Sequence, residues 1–158
     1  MNQPITTPPY ELVLERTLQA PRMALWRCWT EPALMAQWFC PKPWYVNDVS
    51  SDLRVGGSIS MMMCGPNGEA FANNGVYLEI IPGQRLVTTD AFTSAWKPSA
   101  KAFMVAQVSM SDAPGSGTFY QAIARHWNAA DHQSHIDMGF HTGWGIAADQ
   151  LDALALTL

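Results

Sequence analysis

Leu12, Leu14 and Leu18 fall on one side of an extended chain, Glu11, Glu15 and Thr17 mostly fall on the other, and Arg16 alone interrupts the apolar side. That alternation predicts a first strand over residues 10–18. The period then changes. Pro21 suits the opening turn of a helix, where its missing N–H has no partner to lose, and Met23, Trp26 and Trp29 recur at helical spacing as far as Thr30. A second short helix is expected next, with Thr30 as its N-cap, Pro32 in its first turn, and Leu34 and Trp38 one turn apart. Pro41 and Pro43 end it.

Beyond Pro43 the punctuation is that of β-structure. Gly56-Gly57, Pro66-Asn67-Gly68, Pro82-Gly83 and Pro114-Gly115-Ser116-Gly117 separate segments rich in Val, Ile, Met and Thr. Pro82-Gly83 has the chemistry of a type II turn, because Pro presets the first central φ and Gly supplies the positive second one. It joins a run over 75–81, in which Val76, Leu78 and Ile80 alternate with Tyr77 and Glu79, to a strand over 85–90. Two more strands are expected near 103–111 and 117–126, the first with Met104, Ala106, Val108 and Met110 on one face. Residues 90–101, with Trp96 and Pro98, read as a surface loop or lid.

From about Asp131 the spacing returns to three and four. Ile136, Phe140, Trp144, Ala147, Leu151, Leu154 and Leu158 form a stripe, with Asp137, His141, Asp149 and Asp152 off it. This predicts one long amphipathic helix. Gly139, Gly143 and Gly145 weaken its first half by about 1 kcal/mol each relative to Ala, so they imply close packing or room left beside a cavity. The order is one strand, two short helices, about six strands and one long helix. No βαβ crossover occurs, so the fold class is α+β with an antiparallel sheet. One domain over 10–158 is expected, preceded by a disordered lead-in over 1–9.

Composition narrows the function classes. The chain has 158 residues, 14% of them charged, and a net charge of −4, with Lys and Arg scattered rather than striped. That is no electrostatic footprint for nucleic acid. No apolar run reaches the roughly 18 residues of a membrane span, and the polar start lacks the marks of a signal peptide. Cys28, Cys40 and Cys64 are odd in number and show no C-x-x-C spacing, as expected of reduced, buried thiols in the cytoplasm.

Several short segments also carry a likeness. Ala20-Pro21 precedes Leu25-Trp26, then Trp29-Thr30-Glu31-Pro32 and Gln37-Trp38-Phe39. Asp52-Leu53-Arg54-Val55-Gly56-Gly57, Gly75 to Ile80, Pro82-Gly83-Gln84-Arg85-Leu86 running on to Asp90, and Gly143-Trp144 follow in order. Over roughly residues 10–156 the chain resembles the domain of the activator of heat-shock protein 90 ATPase type, within the START-like (SRPBCC) superfamily. The resemblance implies a helix-grip fold: a curved antiparallel sheet of about six or seven strands around a long C-terminal helix, with two short helices after strand 1. It implies little about activity, because fold alone does not fix chemistry.

Candidate chemistry is sparse. His126, His132, His135, Asp137 and His141 cluster in sequence, yet a zinc site needs three or four convergent ligands. They read as a solvated helix entrance, so neither metal nor cofactor is expected. No G-x-S-x-G or phosphate-loop pattern is present, and Glu79 reads as an outward residue in a salt bridge or in solvent. Nine Met and seven Trp point instead to an adaptable apolar interior. In a helix-grip fold the alternation places Ile59, Met61, Met63, Val76, Leu78 and Leu86 on the cavity wall. Thr88, Met104, Ala106 and Val108 join them from later strands, with Phe140 and Trp144 from the last helix. The expected protein is a monomeric or homodimeric binder of a small apolar molecule, lipid-like or aromatic. A cyclase- or dehydratase-type enzyme using the same cavity and a co-chaperone-like partner-binding module are the alternatives.

Overall fold

The computed structural model describes residues 10–158, so the lead-in expected over 1–9 lies outside the described residues. Strand β1 (Glu11–Leu18) leads into helices α1 (Arg22–Thr30) and α2 (Pro32–Trp38). Four strands follow: β2 (Tyr45–Ser51), β3 (Ser58–Cys64), β4 (Ala70–Ile81) and β5 (Arg85–Thr89). A two-residue pairing of β6 (Phe92–Thr93) with β7 (Lys97–Pro98) interrupts the series before β8 (Val105–Asp112) and β9 (Thr118–Arg125). Helices α3 (Ala129–Asp137) and α4 (Phe140–Ala155) close the chain. The seven long strands form one antiparallel sheet in the order β1-β9-β8-β5-β4-β3-β2. This is the α+β antiparallel arrangement that the periodicity predicts, in the helix-grip form that the resemblance implies.

Local chemistry explains the elements, with two corrections. Gly83 takes φ 70° and Gln84 N–H donates to the Ile81 carbonyl at 2.9 Å, which closes the turn between β4 and β5. Thr30 is not the cap of α2. Its hydroxyl bonds back to the Trp26 carbonyl at 2.8 Å within α1, and Glu31 takes the cap position ahead of Pro32. The expected long C-terminal helix is also two helices. Gly139, at φ 84°, breaks it in a left-handed conformation that other residues adopt only at a cost.

The core lies between the concave face of the sheet and α1, α2 and α4. Leu12, Leu14 and Leu18 of β1 join Leu25 and Trp26 of α1 and Leu151 and Ala155 of α4 in one buried cluster. Polar anchors fix α4 over the sheet. The Asp152 carboxylate accepts Gln19 N–H and Ala20 N–H at 3.0 and 2.8 Å. Gln150 Nε2 donates to the Trp38 and Cys40 carbonyls at 2.9 and 2.7 Å, and its Oε1 accepts Lys42 N–H at 3.0 Å. A Cβ at position 145 would stand 2.8 Å from Arg16 Nη2, so that glycine marks a close approach between α4 and β1. The segment over 90–101 packs on the outer side of β4 and lays Trp96 over Gly56, so it is a surface loop rather than a lid.

Candidate functional site

A cavity of about 500 Å³ lies between the sheet and the helices, with mostly apolar walls. Small residues make the space. Ala106 of β8 and Ala122 of β9 line it on the same face, one pleat apart. Where larger side chains would fill the concavity, these leave it hollow. Trp29, Met35, Trp38 and Phe39 from α1 and α2 form one wall. They are packed edge to face: the ring centroids of Trp29 and Trp38 are 4.7 Å apart, and those of Trp38 and Phe39 are 5.4 Å apart. Trp38 Nε1 donates to the Cys28 carbonyl at 2.8 Å, which locks that wall.

Nine of the twelve residues expected on the wall line this cavity: Ile59, Met61, Met63, Leu86, Thr88 and Met104, with Ala106, Phe140 and Trp144. Three do not. The register of β4 against β5 shifts between Tyr77 and Glu79, so Leu78 sits in a bulge and the phase of the strand inverts there. Tyr77 therefore lines the cavity, and Val76, fully buried, belongs to the opposite face. Val108 has the expected phase, but it lies where α1 closes on β8, and packed core replaces the hollow.

The polar groups of the cavity are few and mostly committed. Tyr77 Oη and Ser51 Oγ share a hydrogen bond of 2.6 Å, and burial raises the Tyr77 pKa. Asp90 Oδ1 accepts Phe103 N–H and Met104 N–H at 2.8 and 3.1 Å, while the Thr89 hydroxyl donates to the Met104 carbonyl at 2.9 Å. Burial pushes the Cys40 thiol up to about 11, with Cys64 adding to the effect, so Cys40 meets the cavity as an unreactive thiol. Tyr120 lines the wall with its pKa raised by burial. Trp29 Nε1 lies near enough to favour the tyrosinate slightly, yet it is buried without a hydrogen-bond partner among the described residues.

The histidines correct the expectation of a solvated helix entrance. His126 and His135 are 7% and 6% exposed and hydrogen-bonded to each other, Nε2 to Nδ1, at 2.9 Å. His126 Nδ1 lies 2.8 Å from the Phe103 carbonyl. His135 lines the cavity between the rings of Phe103, Phe140 and Trp144, with centroids 5.1–5.6 Å away. Burial, then the neighbouring His126 and His132, pushes its pKa down to about 4. Among the described residues, no group of three or more His, Cys, Asp or Glu side chains is placed to hold a metal ion.

Spacing could have found Tyr120, which alternates with Ala122 and Ala124 on β9. It could not have found His135, whose inward direction depends on the helix break at Gly139. Glu79 points outward and pairs with Arg85 at 2.9 Å, as its alternation predicts. A more open groove runs across β1, β9 and β8, where Glu15, Arg16, Ser109 and Gln121 mix with Met110 and Phe119. No helix among the described residues is long and apolar enough to cross a membrane.

The comparisons with known proteins agree with this architecture. No curated protein matches the chain significantly in sequence. Protein NE0264 of Nitrosomonas europaea is 38% identical, with a TM-score of 0.89 over 93% of this chain and 94% of its own. Protein CV1439 of Chromobacterium violaceum is 25% identical, with a TM-score of 0.73 over 93% of this chain and 98% of its own. Protein Ms6760 of Mycobacterium smegmatis, 22% identical, shares the fold at a TM-score of 0.77 over 92% of this chain and 90% of its own. Residues 19–155 match the family model described as Activator of Hsp90 ATPase homolog 1-like protein, and the chain belongs to that family.

Proposed function

We propose that the protein binds a small, largely apolar molecule, lipid-like or aromatic, in the cavity between the sheet and α4. The observation that carries this reading is the cavity itself. Its volume of about 500 Å³ falls in the range of roughly 300–1,000 Å³ typical of small-molecule sites. Met35, Met61, Met63 and Met104 supply adaptable walls, and the tryptophans supply rigid ones. Family membership suggests a ligand-binding or co-chaperone-like domain, and the cavity favours the first. Three buried free thiols support a reducing, cytoplasmic setting.

Proton-transfer chemistry of cyclase or dehydratase type in the same cavity is the second reading, and His135 favours it as a buried, shifted histidine in the wall. Its low pKa makes it a weak base, which ranks this reading below simple binding. Native mass spectrometry of freshly purified protein tests both. A co-purifying apolar molecule, which raises the melting temperature when added back, is the result expected. Its conversion to a new mass by the parent but not by His135→Asn would install the enzyme reading instead. No bound species, and no thermal shift from a panel of apolar probes, would refute both.

A further inference from the structure

The two buried histidines have their protons ordered by a backbone carbonyl. A carbonyl oxygen only accepts, so at 2.8 Å from Phe103 O the His126 Nδ1 must carry hydrogen. In the uncharged ring the other nitrogen is then a bare acceptor. That nitrogen, His126 Nε2, is 2.9 Å from His135 Nδ1, so His135 Nδ1 must donate. One nitrogen remains. His135 Nε2 has no hydrogen-bond partner among the described residues and, in the uncharged pair, holds a lone pair and no proton. With Nδ1 turned to His126, Nε2 is the nitrogen that His135 presents as a member of the cavity wall.

The surroundings favour the uncharged pair. Neither ring is ion-paired with a carboxylate among the described residues, and His132, the nearest other titratable ring at 6.4 Å from His126, donates no counter-charge. Burial of the His135 ring among Phe103, Phe140 and Trp144 disfavours its cation, in line with its lowered pKa. His135 Nε2 is not among the buried atoms left without a partner, so it is open to the cavity; a ligand that covers it must bring a donor in its place or leave the acceptor unmade at a cost.

We infer that the cavity selects ligands that bring a hydrogen-bond donor, a hydroxyl or N–H on an apolar body, to His135 Nε2. This rests on the ligand-binding reading above and narrows it to a ligand class. An ether or ester of the same shape has no hydrogen to give, and a carboxylate would place its oxygens against the lone pair.

Two measurements test it. The first uses the unliganded parent at pH 7: imidazole ¹⁵N chemical shifts should report a protonated Nδ1 and an unprotonated Nε2 on His135. The reverse tautomer would overturn the inference. The second compares 2-naphthol with 2-methoxynaphthalene, which differ at the donor. The parent should bind 2-naphthol about tenfold more tightly. In His135→Asn, whose amide N–H can still donate to His126, the preference should vanish, the two probes binding within about threefold of each other. His135→Phe, which refills the ring volume, is the second variant and should behave alike. Equal affinities in the parent, or a preference that survives both substitutions, would refute the donor selection and leave the cavity reading standing. If neither probe binds saturably, the cavity reading falls, and the inference falls with it.

Discussion

Phe140 and Trp144 stand one turn apart on the same helix, yet they differ in burial: Phe140 is 2% exposed, and Trp144 borders the hollow half-buried. Removing Phe140 empties a packed site, so Phe140→Ala should cost about 3–4 kcal/mol. Trp144→Ala enlarges a space that already exists and should cost roughly 1–2 kcal/mol despite the larger side chain. Urea titration of the two variants checks the order, and equal losses would mean that Trp144 is packed and the hollow is not there. His135 supplies a second residue-scale outcome. Its folded pKa of about 4 lies below the ordinary 6.5, so between those values the unfolded chain binds more protons than the folded one. The stabilising contribution of the neutral ring is therefore complete above about pH 6.5 and is lost as the pH falls toward 4. The loss is at most roughly 3 kcal/mol, and less where water in the cavity screens the ring. Between pH 7 and 4.5 the parent should lose about 1–2 kcal/mol more stability than His135→Asn. A variant that loses as much as the parent would contradict the assignment.

Among the elements, the C-terminal helix pair teaches most. The stripe read from Ile136 to Leu158 assumes one continuous helix, and Gly139 interrupts it with φ 84°. Across that break the phase resets. Ile136 is exposed while His135 turns inward on α3, and Leu158 is exposed because it lies past the end of α4. From Phe140 onward the three-and-four spacing holds, and Leu151 is fully buried where the stripe places it. The same logic explains β4, where the expected phase holds for Glu79 and Ile80 beyond the bulge at Leu78 and is reversed for Val76 and Tyr77 before it. A period carries information only while its element continues, and neither the break nor the bulge has a strong signature in one sequence. Glycine substitutions test the break directly. A Cβ at 139 meets nothing within 4 Å, so Gly139→Ala should cost about 1–2 kcal/mol from backbone strain alone, and Gly139→Asn less. At Gly143, inside α4, the nearest atom is 3.8 Å away, so Gly143→Ala should stabilise by roughly 0.5–1 kcal/mol. Chemical denaturation of the three variants decides it. A neutral Gly139→Ala would mean that α3 and α4 are joined without a left-handed residue.

At the scale of the whole molecule, the order of periods was enough to read the α+β class, the antiparallel sheet and the two helices after β1. The cavity wall was legible only where strand phase was regular. Spacing alone does not separate Trp29 and Trp38 from plain core, because a cavity wall and a core face share one apolar pattern. What separates them is volume, and that comes from the placement of Ala106 and Ala122 on strands that only the fold brings together. The account stands on that hollow being available to a guest. Fluorescence titration of the parent and Ala106→Phe with an apolar naphthalene dye tests this most directly, with folding of both followed by urea titration. Burial at about 25 cal/mol per Å² of apolar surface, less the cost of immobilising the guest, leads to an affinity on the order of micromolar for the parent, with quenched or shifted tryptophan emission. Ala106→Phe should fold and weaken binding about tenfold or more. Absence of saturable binding to the folded parent, or a folded Ala106→Phe that binds as tightly as the parent, would contradict the account.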